Sequence, residues 1–337
     1  MPHDPTGIVL FQLGGPDSLA AVEPFLYNLF SDPDIIDFPL ARLARQPLAR
    51  LIAASRARKV QHHYAEIGGR SPIREMTARQ ATALQAALEP DLPVHVTVAM
   101  RYWHPLTAEA IRELEAARVE QLVLLPLYPH YSCTTTGSSL NEWNRLVRGS
   151  RLGRLPFRVI REFYTFPGYL DALVEHINTT LGRFAPGEAP HLVFSAHNVP
   201  VSTIAAGDPY RDQIEATMRL VLERGGWDLP ASLCYQSKVG GARWLDPSLD
   251  KTITDLAAVG ARHLLVIPIA FVSDHVETLS EINIEAREHA ARCGIRKFEM
   301  MPGLNDGPLF IQALADLVRE ALGTAPAAGT VREAAIR

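Results

Sequence analysis

Cysteine is scarce in this chain: three in 337 residues, at Cys133, Cys234 and Cys293. The number is odd and no pair has zinc-finger or CxxC spacing. Reduced thiols in a cytosolic protein are therefore expected. Long hydrophobic runs are missing too. No stretch approaches the ~20 apolar residues of a membrane span, so stable membrane contact is expected to be peripheral. The N-terminus carries Asp4, lacks a positively charged leading region, and has an apolar run, Ile8–Phe11, too short for a secretory signal. Neither charge sign dominates. Lys and Arg number 33 against 37 Asp and Glu, for a net charge of −4 and a pI of about 6.3. No global basic field argues for nucleic acid as a partner.

What is present is ample apolar material, at 47% of residues, cut by 25 prolines and 22 glycines spread along the chain. These read as punctuation between elements. Short apolar runs predict strands at Gly7–Leu13, Val94–Met100, Gln121–Leu127, Phe157–Glu162, His191–Ala196, Ser232–Gln236, His263–Phe271 and Arg296–Met300. Amphipathic segments predict helices over Thr107–Ala117, Tyr169–Leu181, Asp212–Glu223, Ser248–Ala258, Asp274–Ala291 and Leu309–Leu322. The alternation predicts an α/β protein with parallel sheets flanked by helices.

The halves echo one another. Arg101 opens "RYWHPLTAEAIRELEAARVEQLVLLPLYPHYS", and Ala242 opens "ARWLDPSLDKTITDLAAVGARHLLVIPIAFVSD". In both, Trp and Pro lead into a helix, then an apolar strand containing a proline, then Ser. The proline pairs Pro105/Pro126 and Pro247/Pro268 have the same separation, 21 residues. Two related α/β lobes follow, joined near Pro167: residues 1–166, residues 167–322, and a frayed tail from 323 to 337.

In open α/β sheets, ligands bind beyond the carboxyl ends of the strands. The loops there carry unusual chemistry. "LGGPDS" allows close backbone approach but lacks a phosphate-loop signature, so a tight turn is the plainer reading. "FSAHNVP" puts His197 at a strand end. In "FVSDHVETLSEINIEAREHA", Asp274 and Glu277 fit a helix-capping box. Glu277, Glu281 and Glu285 also form one acidic row at spacing i, i+4, i+8, which invites a divalent cation or a proton. Other loops offer Arg101, Tyr102, Trp103 and His104; Tyr128, Tyr131, Ser132 and Thr134–Thr136; and Gln236, Ser237, Lys238 and Trp244. Such aromatics, hydroxyls and cations suit a large, flat, apolar ligand with anionic edges. From Pro39 to Ala65 there is no acidic residue, while Arg42, Arg45, Arg50, Arg56, Arg58 and Lys59 alternate with Leu40, Leu43, Leu48, Leu51 and Ile52. This reads as a basic amphipathic helix or lip, for acidic ligands or anionic lipid.

Eight motifs in order then resemble one family. "LGGPDS", "IGGRSPI", "MRYWHP", "YPHYSCTTTGSSL", "FSAHNVP", "GDPYRDQI", "YQSKVG" with the following "WL", and "PIAFVSDHVETLSEI" run as they do in ferrochelatases. The resemblance implies two Rossmann-like lobes with a porphyrin cleft between them. It implies insertion of Fe²⁺ into protoporphyrin IX with release of two protons, in haem biosynthesis. By that resemblance, His197 binds metal or deprotonates a pyrrole. Glu277 stands opposite it, and Glu281 and Glu285 conduct metal or protons, so that all four are candidate metal ligands. Asp274 and His275 support them. Leu13, Arg101, Tyr102, Trp244 and Phe271 match positions lining the porphyrin cleft. Arg56, Lys59, Tyr64 and Ser132 lie in segments that meet porphyrin or its propionates.

The family pattern requires no organic cofactor, and Fe²⁺ enters as substrate. Some ferrochelatases hold an iron–sulfur cluster through one cysteine in the Y-S-C motif and three near the C-terminus. Cys133 matches the first, but nothing beyond Cys293 matches the rest, and three thiols cannot supply four. The sequence leaves coproporphyrin III open as an alternative substrate. A cobalt-inserting chelatase and a non-catalytic porphyrin or haem carrier are the other readings. The expected setting is cytoplasmic, with any membrane association peripheral.

Overall fold

All eight predicted strands form, and they divide into two parallel four-stranded sheets in the computed structural model. The structure describes residues 5–35, 41–237 and 241–324, without the side chains of 41–43. The expectations that fall on Leu40, Arg42, Leu43, Lys238 and residues 325–337 lie outside the described residues.

The first unit runs to Phe163 and takes back the helix from Phe310. Its strands are β1 (Thr6–Gln12), β2 (Val94–Met100), β3 (Gln121–Pro126) and β4 (Phe157–Val159), in the order β2-β1-β3-β4. Every residue of β1 is buried, as expected for a central parallel strand covered on both faces. Phe11 meets Trp143 edge-on, with ring centroids 5.8 Å apart, among Val9, Leu114 and Leu124. In the "LGGPDS" turn, Gly14 has φ 85°, and a Cβ on Gly15 would stand 2.6 Å from Ser71 Cβ. The two glycines serve a turn and a close approach of chain segments, the plainer of the two sequence readings.

The second unit, Tyr164–Leu309, holds β5 (His191–His197), β6 (Ala231–Gln236), β7 (His263–Pro268) and β8 (Lys297–Met300), in the order β6-β5-β7-β8. This is the strand order of the first unit, so the sequence echo marks a structural repeat. Matching bonds recur: Met100 N donates to Pro105 O at 2.7 Å, and Tyr235 N to Pro247 O at 2.9 Å. The second core gathers Val193, Ile253, Leu264, Val266, Ile282 and Ala290.

Three expectations are corrected. β3 and β7 stop at Pro126 and Pro268, short of Leu127 and Phe271. Proline has no N–H to continue a ladder. The C-terminal helix, Pro308–Leu322, does not stay with the second half of the chain. Arg319 ties it to the first unit, donating to Ala87 O at 2.9 Å and pairing with Asp91 at 2.8 Å. The acidic segment is not an α-helix throughout. Glu277–Ala286 winds as a π-helix before α-helical Arg287–Arg292. Such wide turns are rare and gather at functional sites. Among the described residues, no helix is long and apolar enough to cross a membrane.

Candidate functional site

In the second unit, β5 carries His197 at its end, and the π-helix that follows β7 begins at Glu277. His197 Nδ1 lies 2.8 Å from Glu277 Oε2. A carboxylate only accepts, so Nδ1 bears the hydrogen and Nε2 is left for other chemistry. The imidazole keeps 40% of its side-chain surface open, while Glu277 keeps 18%. His275 also approaches Glu277, with Nε2 3.8 Å from the same carboxylate oxygen. Its Nδ1 donates to Ser273 O at 3.0 Å, which fixes the ring. Phe271 meets both imidazoles edge-on, 4.6 Å from His275 and 6.2 Å from His197 between centroids. The Tyr210 hydroxyl donates to His197 O at 3.1 Å and steadies the strand end.

The capping-box reading of Asp274 and Glu277 does not hold. Glu277 turns to His197, and Asp274 N donates instead to Asn305 Oδ1 at 3.0 Å. Asp274 is a hub for the loop. Its carboxylate accepts from Thr278 Oγ1 at 3.1 Å, Gly303 N at 3.1 Å and Asn305 Nδ2 at 2.8 Å.

The acidic row survives the wide winding. Glu277 and Glu281 are half-buried, and Glu285 is exposed, so the row runs from the imidazole outward to solvent. The Ser237 hydroxyl donates to Glu281 Oε2. The three central groups divide their charge. Burial would push His197 down, but the charge and hydrogen bond of Glu277, with Glu281 behind it, raise its pKa. Burial would push Glu277 up, yet His197 and then His275 hold it far below the usual carboxylate range. Glu281 is pushed up to about 7 by burial and by the Glu277 charge beside it, against the pull of Ser237 and His197. Among the described residues, no three His, Cys, Asp or Glu side chains converge as a ready metal cage. The row is a series of single acceptors.

Trp244 is half-buried in a loop whose anchor the sequence did not reveal. Asn198 is buried, donating to Leu245 O at 3.1 Å and accepting from Leu245 N at 3.0 Å. Asn198 thereby clamps the Trp244 loop.

In the first unit the substrate-lining expectations fare unevenly. Leu13 is half-buried at the end of β1. On the helix Ala41–Glu66, Arg56 is half-buried and Lys59 exposed. Tyr102 is fully buried, and its hydroxyl donates to Asp32 Oδ2 at 2.6 Å. Arg101 is drawn to the same carboxylate, with NH2 2.9 Å from Asp32 Oδ1 and Nε donating to Ser138 Oγ at 2.8 Å. Asp32 is lowered from the usual range: burial works against it, but hydrogen bonds from Ser138 and Tyr102 prevail. Ser132 and Tyr64 are buried as well. Ser132 caps the turn Cys133–Gly137, its hydroxyl accepting from Thr134 N at 3.3 Å.

Comparison with known proteins agrees with the motifs. The family model described as Ferrochelatase matches residues 5–322. The ferrochelatase of Trichodesmium erythraeum (strain IMS101) is 47% identical over 319 residues, 94% of this chain and 82% of that protein. That of Synechococcus sp. (strain JA-3-3Ab) is 46% identical over 328 residues, 96% of this chain and 95% of its own length. Among solved structures, SirB from Bacillus subtilis with Fe³⁺ has a TM-score of 0.55 at 12% identity, covering 94% of this chain and 95% of that one. The sirohydrochlorin chelatase SirB of Bacillus subtilis subspecies spizizenii, in complex with cobalt, has a TM-score of 0.52 at 9% identity, covering 95% and 96%. At these identities the structures speak for the fold alone. With the family model spanning nearly the whole chain, and relatives close to half identical, the chain belongs to the ferrochelatase family of haem synthesis, enzymes that insert metal into a porphyrin.

Proposed function

We propose that His197, Glu277, Glu281 and Glu285 carry the chemistry of Fe²⁺ insertion in this chain, with protoporphyrin IX as the porphyrin. The observation behind this reading is the 2.8 Å bond from His197 to Glu277, at the head of an acidic row that becomes more exposed with distance.

Insertion of Fe²⁺ into a free-base ring releases two pyrrole protons. Neutral His197, with its hydrogen on Nδ1, offers the Nε2 lone pair as acceptor. The imidazolium that results is stabilised by Glu277, in keeping with the raised pKa of the ring. Glu281, poised at about 7, can take up a proton or release one near neutrality. Glu285 completes the path to solvent. The same oxygens attract a divalent cation singly, without the thiolates that would retain it. Phe271, set edge-on against both imidazoles, offers an apolar wall for a flat macrocycle. Trp244 adds an aromatic surface on the loop held by Asn198.

The preference for protoporphyrin IX rests on the "YSCTTTGSSL" stretch, which resembles that of protoporphyrin-using members. Steady-state kinetics with protoporphyrin IX and coproporphyrin III under anaerobic Fe²⁺ will decide it; a higher kcat/KM for coproporphyrin III overturns the preference. The role of His197 is tested by His197→Ala, expected to fold and bind porphyrin but to lose insertion by orders of magnitude. Near-normal turnover in that variant removes the assignment.

A cytoplasmic setting with peripheral membrane contact belongs to the same proposal. Along the helix Ala41–Glu66, Leu51 is 68% exposed and Leu48 37% exposed, near exposed Arg50, Arg58 and Lys59. Flotation with anionic vesicles, lost in a Leu48→Ser, Leu51→Ser variant, is the expected result. Equal flotation of that variant excludes this helix as the contact.

A further inference from the structure

Strand β6 ends at Gln236, and the next residue turns left-handed, with Ser237 at φ 66°. Glycine enters this conformation freely and serine does not. Yet the residue is serine, and its hydroxyl has a defined use: it donates to Glu281 Oε2. Gln236 acts one position earlier. Buried itself, it accepts from Ser195 Oγ at 2.7 Å and donates from Nε2 to Glu277 O at 3.2 Å. Ser195 lies two residues before His197 on β5. The end of β6 therefore grips the π-helix at two successive acidic positions, by the backbone at Glu277 and by the side chain at Glu281.

We infer that Ser237 is a positioning residue for metal delivery: it pins one oxygen of Glu281, so that the carboxylate meets an incoming divalent cation through its other oxygen alone. The inference rests on the reading of Glu277, Glu281 and Glu285 as the route of the cation. A glutamate side chain on a helix is flexible, and its free carboxylate can close on a cation with both oxygens. Bound to a hydroxyl at a strand end, it has one oxygen left and one direction in which to offer it. That geometry holds the free oxygen ready for the incoming cation, so that capture costs no ordering of the side chain. The hydroxyl is also aimed by the backbone, since the left-handed turn sets the direction of the Cα–Cβ bond of Ser237.

The test is a double-mutant cycle read by anaerobic steady-state kinetics, with Fe²⁺ and protoporphyrin IX varied independently. Ser237→Gly removes the hydroxyl and keeps the left-handed backbone open to the chain. Glu281→Ala removes the acceptor. Ser237→Gly is expected to raise the KM for Fe²⁺ about tenfold, as loss of a hydrogen bond to a charged group allows. The KM for porphyrin and the melting temperature stay at wild-type values. In the Glu281→Ala background, Ser237→Gly adds nothing further, because its target is gone.

The inference is overturned if Glu281→Ala raises the KM for Fe²⁺ while Ser237→Gly leaves it unchanged. It is overturned equally if Ser237→Gly acts by the same factor in both backgrounds, or if it lowers the melting temperature and alters both KM values together. A Glu281→Ala enzyme with a wild-type KM for Fe²⁺ rejects the cation route itself, and Ser237 with it; the two failures are thus distinguishable.

Discussion

His197 Nδ1 and Glu277 Oε2 stand 2.8 Å apart although 80 positions separate them, one at the end of β5 and the other at the first residue of the π-helix. The pair sets Glu277 apart from a helix cap. Its carboxylate makes no return bond to the helix start, where Asp274 N is taken by Asn305. Glu277→Gln should therefore leave the melting temperature close to wild type, allowing for the lost ion pair, and should nearly abolish turnover. Activity and melting temperature measured on one preparation decide this. A variant that melts early but turns over normally per folded molecule makes Glu277 structural.

Tyr102 and Asp32 give the opposite expectation. The tyrosine hydroxyl, the Arg101 guanidinium and the Ser138 hydroxyl all converge on one buried carboxylate. Asp32→Ala leaves a mostly buried guanidinium with only the longer, 4.0 Å contact to Glu142 Oε2, a loss of up to about 3–5 kcal/mol by analogy with broken buried pairs. Tyr102→Phe loses one hydrogen bond to a charged group, about 1.5–3 kcal/mol. Urea denaturation should show both losses, while the porphyrin KM of folded Tyr102→Phe enzyme stays unchanged. A Tyr102→Phe protein of normal stability but raised KM restores the tyrosine to the substrate surface.

Much of this was legible in the sequence, for reasons particular elements make plain. The strands β1, β3, β5 and β7 are short continuous apolar runs, which is how doubly covered parallel strands read. The repeat was visible because Pro105/Pro126 and Pro247/Pro268 mark the same two points of the same unit. His197 stood out by its place at a strand end, where ligands bind in such sheets, and the role expected of it came from the family resemblance. The Asp32 network was hidden because its members lie 70 and 106 positions apart, and no local pattern reports such a contact. Tyr102 and Arg101 look like ligand-binding residues by type, and that type does not report the shared carboxylate of Asp32 to which both are bound. The π-helix was illegible because residues four apart stay neighbours in either winding. Asp274 and Glu277 matched a capping box in spacing, but spacing does not record which way a carboxylate turns.

The thiols should differ sharply in reactivity. Cys133 is exposed, while Cys234 is fully buried on β6 and burial pushes its pKa up to about 12. The thiolate is the nucleophile, so Cys234 should resist iodoacetamide at pH 8 in the native enzyme. Cys133 should be alkylated first, and Cys234 only after unfolding. Peptide mass mapping over time reads the order. Native alkylation of Cys234 at the rate of Cys133 means that β6 opens far more readily than its buried position allows.

Glu281 makes the site sensitive to pH in a direction that can be worked out. Its folded pKa, about 7, lies above the ordinary carboxyl value of 4.5. Below that ordinary value the group is neutral in folded and unfolded chains alike, and it favours neither. As pH rises towards 7 the unfolded chain releases the proton and the folded chain keeps it, so the folded state is progressively disfavoured. The penalty is complete above the folded pKa. Glu281→Gln removes this titration. The variant should gain stability relative to wild type as pH rises from about 4.5 to about 7, and then hold a constant difference. Lowered Glu277 keeps its contribution throughout that window. Raised His197 loses its own from its ordinary value of 6.5 upward, through its elevated folded pKa, but it does so in both proteins, so the comparison is made on the difference between them. Turnover should move the opposite way. On the proposed route the ionised carboxylate receives cation and proton, so wild-type kcat/KM for Fe²⁺ should climb through about pH 7. Glu281→Gln should be slower throughout and lack that limb. Melting curves and kinetics on both proteins from pH 5 to pH 8 supply the comparison. A stability difference that stays flat across the range places the Glu281 pKa at its ordinary value, and the limb in the rate must then belong to another group.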